Sequence, residues 1–273
     1  KKVDENFKQG YNSNYNKIIR KEQRKMAKTL TERTLIIAHR GASAYAPENT
    51  MPAYELAAKM KADGIETDVH FTADGKIVTL HDEKIDRTSN GQGLVTEYTY
   101  EELLNFDFGR KFSPDFKGTK LPLMEDLFNL CRENNMVCNV EIKSADPAMP
   151  AALHALAEKT GMLDLVIYSS FDHAQLERML EVNPKAFVAP LYSFNMVKPW
   201  DYTENIGALA SHPKHNQLKL YPNYVEKCHE KGIRVHPWTV DDPEVATFLA
   251  EAGCDAVITN KPDLLREIYG LND

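Results

Sequence analysis

From Leu35 onward the chain alternates between short apolar runs and longer amphipathic stretches. Leu35-Ile36-Ile37-Ala38 and Ile77-Val78-Thr79-Leu80 have strand length and end against charged or turn-forming residues, as buried strands do. Strand candidates end at His39, Asp68, Lys143, Ser170, Pro190, Ser211, Trp238 and Thr259. Amphipathic segments with helix-start signals lie between most of them. Asn49-Thr50 opens one that runs to about Lys61, and Asp172 opens another that runs to about Glu181. Asp242-Pro243 opens a third, with proline just inside its start. Eight strands alternating with helices predict a parallel (β/α)8 TIM barrel of the α/β class. No glycine-rich dinucleotide fingerprint follows the first strand, which counts against an open doubly wound sheet.

Three segments depart from that rhythm. Asp74-Gly75, between Val69-His70-Phe71 and Ile77-Val78-Thr79, is a two-residue hairpin signal. Pairing Ala73 with Lys76 sets His81 directly opposite Asp68, folded back over the strand-end carboxylates. Residues 83–119 are rich in turn residues and aromatics and hold one short helix signal, Thr99 followed by Glu102. A barrel loop of this length reads as a lid or binding insertion at the catalytic face. Residues 1–33 form a polar arm outside the barrel, which occupies 34–273. The arm's basic run, Lys17, Arg20, Lys21, Arg24, Lys25 and Lys28 against Glu22, reads as a solvated helix or frayed arm. Membrane or partner contact through it is the lesser alternative.

Hydrophobic content of 42% with 27% charged residues describes a soluble globular chain. Lysine and arginine number 33 against 40 acidic residues, a net charge of −7. That balance argues against a nucleic-acid groove, which needs a basic face, and leaves the oligomeric state open. Cys131, Cys138, Cys228 and Cys254 show no CxxC spacing and read as reduced core thiols rather than zinc ligands, which favours the cytoplasm. The sequence begins at Lys1 rather than Met, so an exported or membrane-tethered form stays open.

The chemistry-bearing residues gather at strand ends, where α/β barrels place their sites. Glu66 and Asp68 are two apart on one strand and point to one face. Glu141 matches them on another strand. For any one of these, a salt-bridged strand-end charge is the ordinary explanation. Three together, with no cysteine or histidine cluster, suit a hard cation, Mg²⁺ or Ca²⁺. Lys143 shares the face of Glu141 and reads as a phosphate donor or a structural counter-charge. His39 and His81 end different strands and form an acid/base pair beside the carboxylates. Arg40 offers a planar fork for phosphate or for a carboxylate. Trp238 shares a face with His236 and either walls the pocket or fills the core. No GxSxG, P-loop or HExxH signature is present.

These residues carry a resemblance. His39-Arg40-Gly41, Pro47-Glu48-Asn49-Thr50, Glu66-Thr67-Asp68, Asp74-Gly75, His81-Asp82, Asp86-Arg87-Thr88, Glu141-Ile142-Lys143 and Trp238-Thr239-Val240 are similar, in order, to motifs of the glycerophosphodiester phosphodiesterase family. The resemblance covers about residues 34 to 270 and leaves the first 33 outside. It implies a (β/α)8 barrel with a small insertion and one divalent cation on Glu66, Asp68 and Glu141. It further implies His39 and His81 as acid and base, with Arg40 and Lys143 neutralising the phosphate. The implied reaction cleaves small glycerophosphodiesters such as glycerophosphocholine or glycerophosphoethanolamine to sn-glycerol 3-phosphate and an alcohol. A lysophospholipase D or sphingomyelinase D-like enzyme on the same barrel is the alternative, and it must admit an acyl chain. A non-catalytic ligand-binding barrel would have lost some of these positions, all of which are present.

Overall fold

A computed structural model describes residues 33–271; the basic run Lys17 to Lys28 lies outside the described residues. Eight strands run parallel: β1 (Leu35–His39), β2 (Gly64–Phe71), β4 (Val137–Ile142), β5 (Val166–Ser170), β6 (Val188–Tyr192), β7 (Ala210–Pro213), β8 (Arg234–Val235) and β9 (Ala256–Thr259). Their order is β8-β7-β6-β5-β4-β2-β1-β9, and β3 (Ile77–Thr79) pairs antiparallel with β2. The two ends of that order meet. Asp255 N donates to the Val235 carbonyl at 3.0 Å, and Ile258 N donates to the Pro237 carbonyl at 3.0 Å. Pro237 lacks an N–H, which helps to keep β8 short. The predicted barrel is the observed one.

Both faces of the strands are covered, which is why they read as continuous apolar runs. Inward-facing Leu35, Ile37, Ala256 and Ile258 form one buried cluster, and Val137, Ile167, Ala189 and Ala210 another. Outward-facing Ala38, Ile65, Val69, Cys138 and Val140 pack with Tyr54, Leu127, Phe128 and Leu153 of the helical layer. Two helix starts carry the expected caps: Asp172 accepts from Ala174 N, and Asp242 from the N–H groups of Glu244 and Val245. Thr50 stands at the N-cap of Met51–Lys59, but its hydroxyl donates to the Pro47 carbonyl rather than capping the helix. All four cysteines are buried and unpaired.

The hairpin register differs from the sequence expectation. Val69 pairs with Thr79 and Phe71 with Ile77, and Leu80 N donates to the Asp68 carbonyl at 2.9 Å. Leu80, not His81, therefore lies opposite Asp68. The cause is Thr72. Its Oγ1 accepts from Lys76 N at 2.9 Å and donates to Asp74 at 2.6 Å. The turn closes around Ala73-Asp74-Gly75, with Gly75 at φ 73°, as in a three-residue hairpin with a left-handed glycine.

After β3 the chain leaves the barrel rhythm and builds a small core of Leu80, Ile85, Val95, Leu103 and Phe108. Thr99 and Glu102 form the expected capping box of a four-residue helix, Tyr100–Leu103. Gly91 packs closely into it: a Cβ there would lie 2.6 Å from Ile85 Cδ1 and 2.7 Å from the Phe106 ring, so both side chains would have to shift.

Candidate active site

The strand register assembles the carboxylates. Asp68 of β2 is the partner of Glu141 on β4, and Glu66 is the partner of His39 on β1. Glu66, Asp68 and Glu141 are all buried, and one oxygen from each lies within 4.8 Å of the others. Arg40 holds two of them: its N–H donates to Glu66 Oε2 at 2.9 Å, and its Nε lies 3.3 Å from Asp68 Oδ2. Arg40 reaches both because its backbone is left-handed, at φ 57°, a strained state that persists where the surroundings impose it. Gly41 follows at φ 82°, where a Cβ would lie 2.6 Å from the Ala53 carbonyl carbon. On the opposite side Lys143 Nζ lies 2.6 Å from Glu141 Oε1 and 3.4 Å from Asp68 Oδ1. Asn49 Nδ2 donates to Asp68 Oδ2 at 2.9 Å.

Three buried carboxylates face two cations, Arg40 and Lys143. Burial and then the Asp68 charge push Glu141 up to about 8, and the same two causes raise Glu66 well above the usual carboxylate range. Burial also works against ionised Asp68, but Arg40, Lys143 and the nearby His81 outweigh it and hold that group at about 2. Asp68 Oδ1 is buried without a hydrogen bond. An all-oxygen donor set that exceeds its two cations by one charge once ionised, with an orphaned oxygen, fits a hard divalent cation.

The two histidines are held differently. His39 Nδ1 lies 2.7 Å from Asn260 Oδ1, and the Asn260 amide donates to Asp241 Oδ2 at 2.5 Å. The Asn260 oxygen is thereby turned toward the ring. His39 Nδ1 carries the hydrogen, and Nε2 presents a lone pair 3.9 Å from Glu66 Oε2. Burial and then Arg40 lower His39 to about 4, so the ring is neutral near pH ~7. His81 Nδ1 instead meets a carboxylate, Asp82 Oδ1, at 2.6 Å. Arg87 Nε donates to Asp82 Oδ2 at 2.6 Å, and both Arg87 terminal nitrogens donate to Glu48 at 2.8 Å. Arg40 NH1 donates to the same Glu48 at 2.9 Å. An alternating chain of charges, Asp68–Arg40–Glu48–Arg87–Asp82–His81, thus ties the carboxylates to the second histidine.

Trp238 stands at the mouth. Its Nε1 donates to the His212 carbonyl at 2.8 Å, and its ring meets Phe171 edge-on at 5.5 Å. Lys143 Nζ lies 5.7 Å from the Phe171 ring centre, so Trp238 and Phe171 wall the side of the site that Lys143 occupies. The structure therefore gathers His39, Arg40, Glu66, Asp68, His81, Glu141, Lys143 and Trp238 at one end of the barrel. Sequence reasoning assigned no role to Asn260, Asp241, Phe171, or the bridging Glu48 and Arg87. Asn260 carried one usable signal, its place directly after the last strand.

Two expected results follow from these contacts. Asn260→Ala lowers turnover by about 10–100-fold while the protein still binds divalent cations, the scale at which lost orienting partners are felt; steady-state kinetics with a cation titration measures both. Arg87→Ala destabilises the fold with a pH signature. Arg87 is the main cause holding Asp82 at about 2, and with Arg40 it overcomes the burial of Glu48 and lowers that group too. Groups depressed by folding stabilise above their unfolded value, ~4, and lose that contribution as pH falls through the folded one. Urea midpoints of the variant and the parent protein should differ near pH ~6, draw together below pH ~4, and converge only below the folded Asp82 value of about 2.

Three buried carboxylates close enough together to share one cation, with two histidines beside them, lie at the C-terminal mouth of a (β/α)8 barrel, where this fold places its catalytic residues. The model of the Glycerophosphoryl diester phosphodiesterase family matches residues 39–264. The chain is 37% identical over 236 residues to a glycerophosphodiester phosphodiesterase of Caldanaerobacter subterraneus subsp. tengcongensis, covering 85% of this chain and 96% of that one. A Bacillus subtilis protein of the same name is 33% identical over 255 residues, with 87% of each covered. Among solved structures, a glycerophosphodiester phosphodiesterase from Agrobacterium tumefaciens superposes with a TM-score of 0.77 at 30% identity, covering 86% of this chain and 99% of that one. The chain belongs to the glycerophosphoryl diester phosphodiesterase family.

Proposed function

We propose that this enzyme hydrolyses small glycerophosphodiesters, such as glycerophosphocholine and glycerophosphoethanolamine, to sn-glycerol 3-phosphate and the free alcohol. Family membership supports the reaction class. The observation that carries the mechanism is the contrast between the histidines: His39 rests on a neutral amide and His81 on a carboxylate, with the three buried acids nearby. Glu66, Asp68 and Glu141 would hold Mg²⁺ or Ca²⁺. A bound divalent cation supplies Lewis-acid withdrawal of charge from the phosphoryl oxygens.

The side chains divide the remaining work. Lys143 and Arg40 neutralise the phosphate, whose charge builds on the non-bridging oxygens. His39 Nε2, with its lone pair free, removes the proton from the attacking hydroxyl, which is either water or the substrate's own 2-hydroxyl. Water gives glycerol 3-phosphate directly; the 2-hydroxyl gives a cyclic phosphate that a water molecule then opens to glycerol 3-phosphate. His81 keeps Nδ1–H on Asp82 and delivers a proton from Nε2 to the leaving alkoxide. Asp82 then pairs with the imidazolium before transfer, and one proton is taken for each one given. Trp238 and Phe171 form the apolar wall against which a small alcohol group rests.

Product analysis tests this reading. Incubation with glycerophosphocholine should release glycerol 3-phosphate and choline. Cleavage of lysophosphatidylcholine without cleavage of glycerophosphocholine would instead assign the lysophospholipase D reaction. No release from either would contradict a catalytic role.

A further inference from the structure

We propose that the rim of the barrel beside the active-site mouth is a docking surface for an anionic lipid bilayer. The proposal rests on the reading of this mouth as the catalytic face. Two connections carry it, the segment after β6 (residues 193–198) and the segment after β7 (residues 214–220), both leaving the C-terminal ends of strands. Gln217 Nε2 donates to the Ser193 carbonyl at 3.4 Å, joining the two segments. Lys214 bridges to Trp238, and His215 N donates to the Trp238 carbonyl at 3.0 Å, which makes this rim continuous with the pocket wall.

The rim's composition is unlike that of the molecule as a whole. Val197 is 77% exposed and Phe194 60%, the two most exposed large hydrophobic residues among those described. Leu220, on the second segment, is 47% exposed. Lys198 holds a left-handed backbone, φ 49°, at the turn into the following helix. A non-glycine residue in that conformation is strained, here beside an outward-facing valine. Lys198, Lys214 and Lys219 are all exposed, and none forms an ion pair with a carboxylate of the described residues. A chain of net charge −7 thus presents unpaired positive charge around apolar side chains on one edge of its mouth.

That pairing of chemistries selects the occupant. Apolar side chains that enter the headgroup region, ringed by lysines that meet anionic headgroups, are how a soluble domain rests on a membrane. Three lysines and three apolar side chains give weak, reversible and salt-sensitive contact. Docking would hold the mouth at the bilayer surface, where glycerophosphodiesters derived from lipids are released.

The test uses the full chain carrying Phe194→Trp, with vesicles of equal parts phosphatidylcholine and phosphatidylglycerol bearing brominated acyl chains. The fluorescence of the introduced indole, measured against the parent protein with its native Trp200 and Trp238, should be quenched by these vesicles. Pure phosphatidylcholine vesicles should not quench it, and ~0.5 M salt should relieve the quenching. Adding Val197→Asp should abolish quenching while turnover of soluble glycerophosphocholine stays unchanged. Absence of quenching overturns the proposal even if the protein sediments with the vesicles, since the basic N-terminal segment alone would account for sedimentation. Quenching that survives Val197→Asp also overturns it. Because the readout needs no catalysis, its failure is distinct from failure of the catalytic reading.

Discussion

Glu66→Gln should remove divalent-cation binding and lower turnover by roughly 10³-fold or more, beyond the loss from deleting a single electrostatic donor. The substitution is nearly isosteric and keeps an oxygen to accept the Arg40 N–H at 2.9 Å. What changes is charge. Cation binding requires the acids in their ionised form, and Glu66, Asp68 and Glu141 against Arg40 and Lys143 then carry one negative charge in excess, which the amide reduces to nothing. A divalent cation then faces two neighbouring positive side chains with no net attraction. The fold should not suffer, because burial and Asp68 already push Glu66 toward its neutral form. Thermal unfolding without added cation should therefore place the variant at or above the parent protein, while calorimetric titration with Mg²⁺ and Ca²⁺ shows no binding. A variant that binds cations and turns over normally would remove Glu66 from the metal set.

His81→Ala should lower turnover by roughly 10²–10⁴-fold, the usual worth of a positioned acid or base, with cation binding retained. His81 touches Asp82 rather than the carboxylate trio, so its loss leaves the donor set intact. His39→Ala should show the same separation of binding from turnover. The two losses should differ by substrate. Only the His81 variant should be partly rescued by a substrate whose leaving alcohol is acidic, such as a nitrophenyl ester, because that leaving group needs no proton. Equal loss on both substrates would contradict His81 as the acid.

The architecture and most of the site were legible because they depend on local patterns. A residue at the end of a strand in a parallel barrel faces the mouth, so His39, Glu66, Asp68 and Glu141 could be placed from their position in apolar runs alone. The hairpin register was not legible in the same way. Asp74-Gly75 signalled a turn correctly, but the loop length was decided by a side-chain contact, Thr72 with Lys76, which periodicity does not encode. Asn260 and Asp241 escaped for a related reason. They act across the barrel seam on His39, 221 positions away in the case of Asn260, and that adjacency exists only once β9 pairs with β1. Arg87 lies in the Asp86-Arg87-Thr88 motif, yet its two-carboxylate grip on Glu48 and Asp82 exists only in the folded insertion.

The most direct test of the account is release of glycerol 3-phosphate from glycerophosphocholine by protein stripped with chelator and then titrated with Mg²⁺ or Ca²⁺, alongside the Glu66→Gln variant. Release should be absent from the stripped protein, recover fully on addition of one of the two ions, and not recover in the variant. Undiminished release from the stripped protein, or recovery in the variant equal to that of the parent protein, would contradict it.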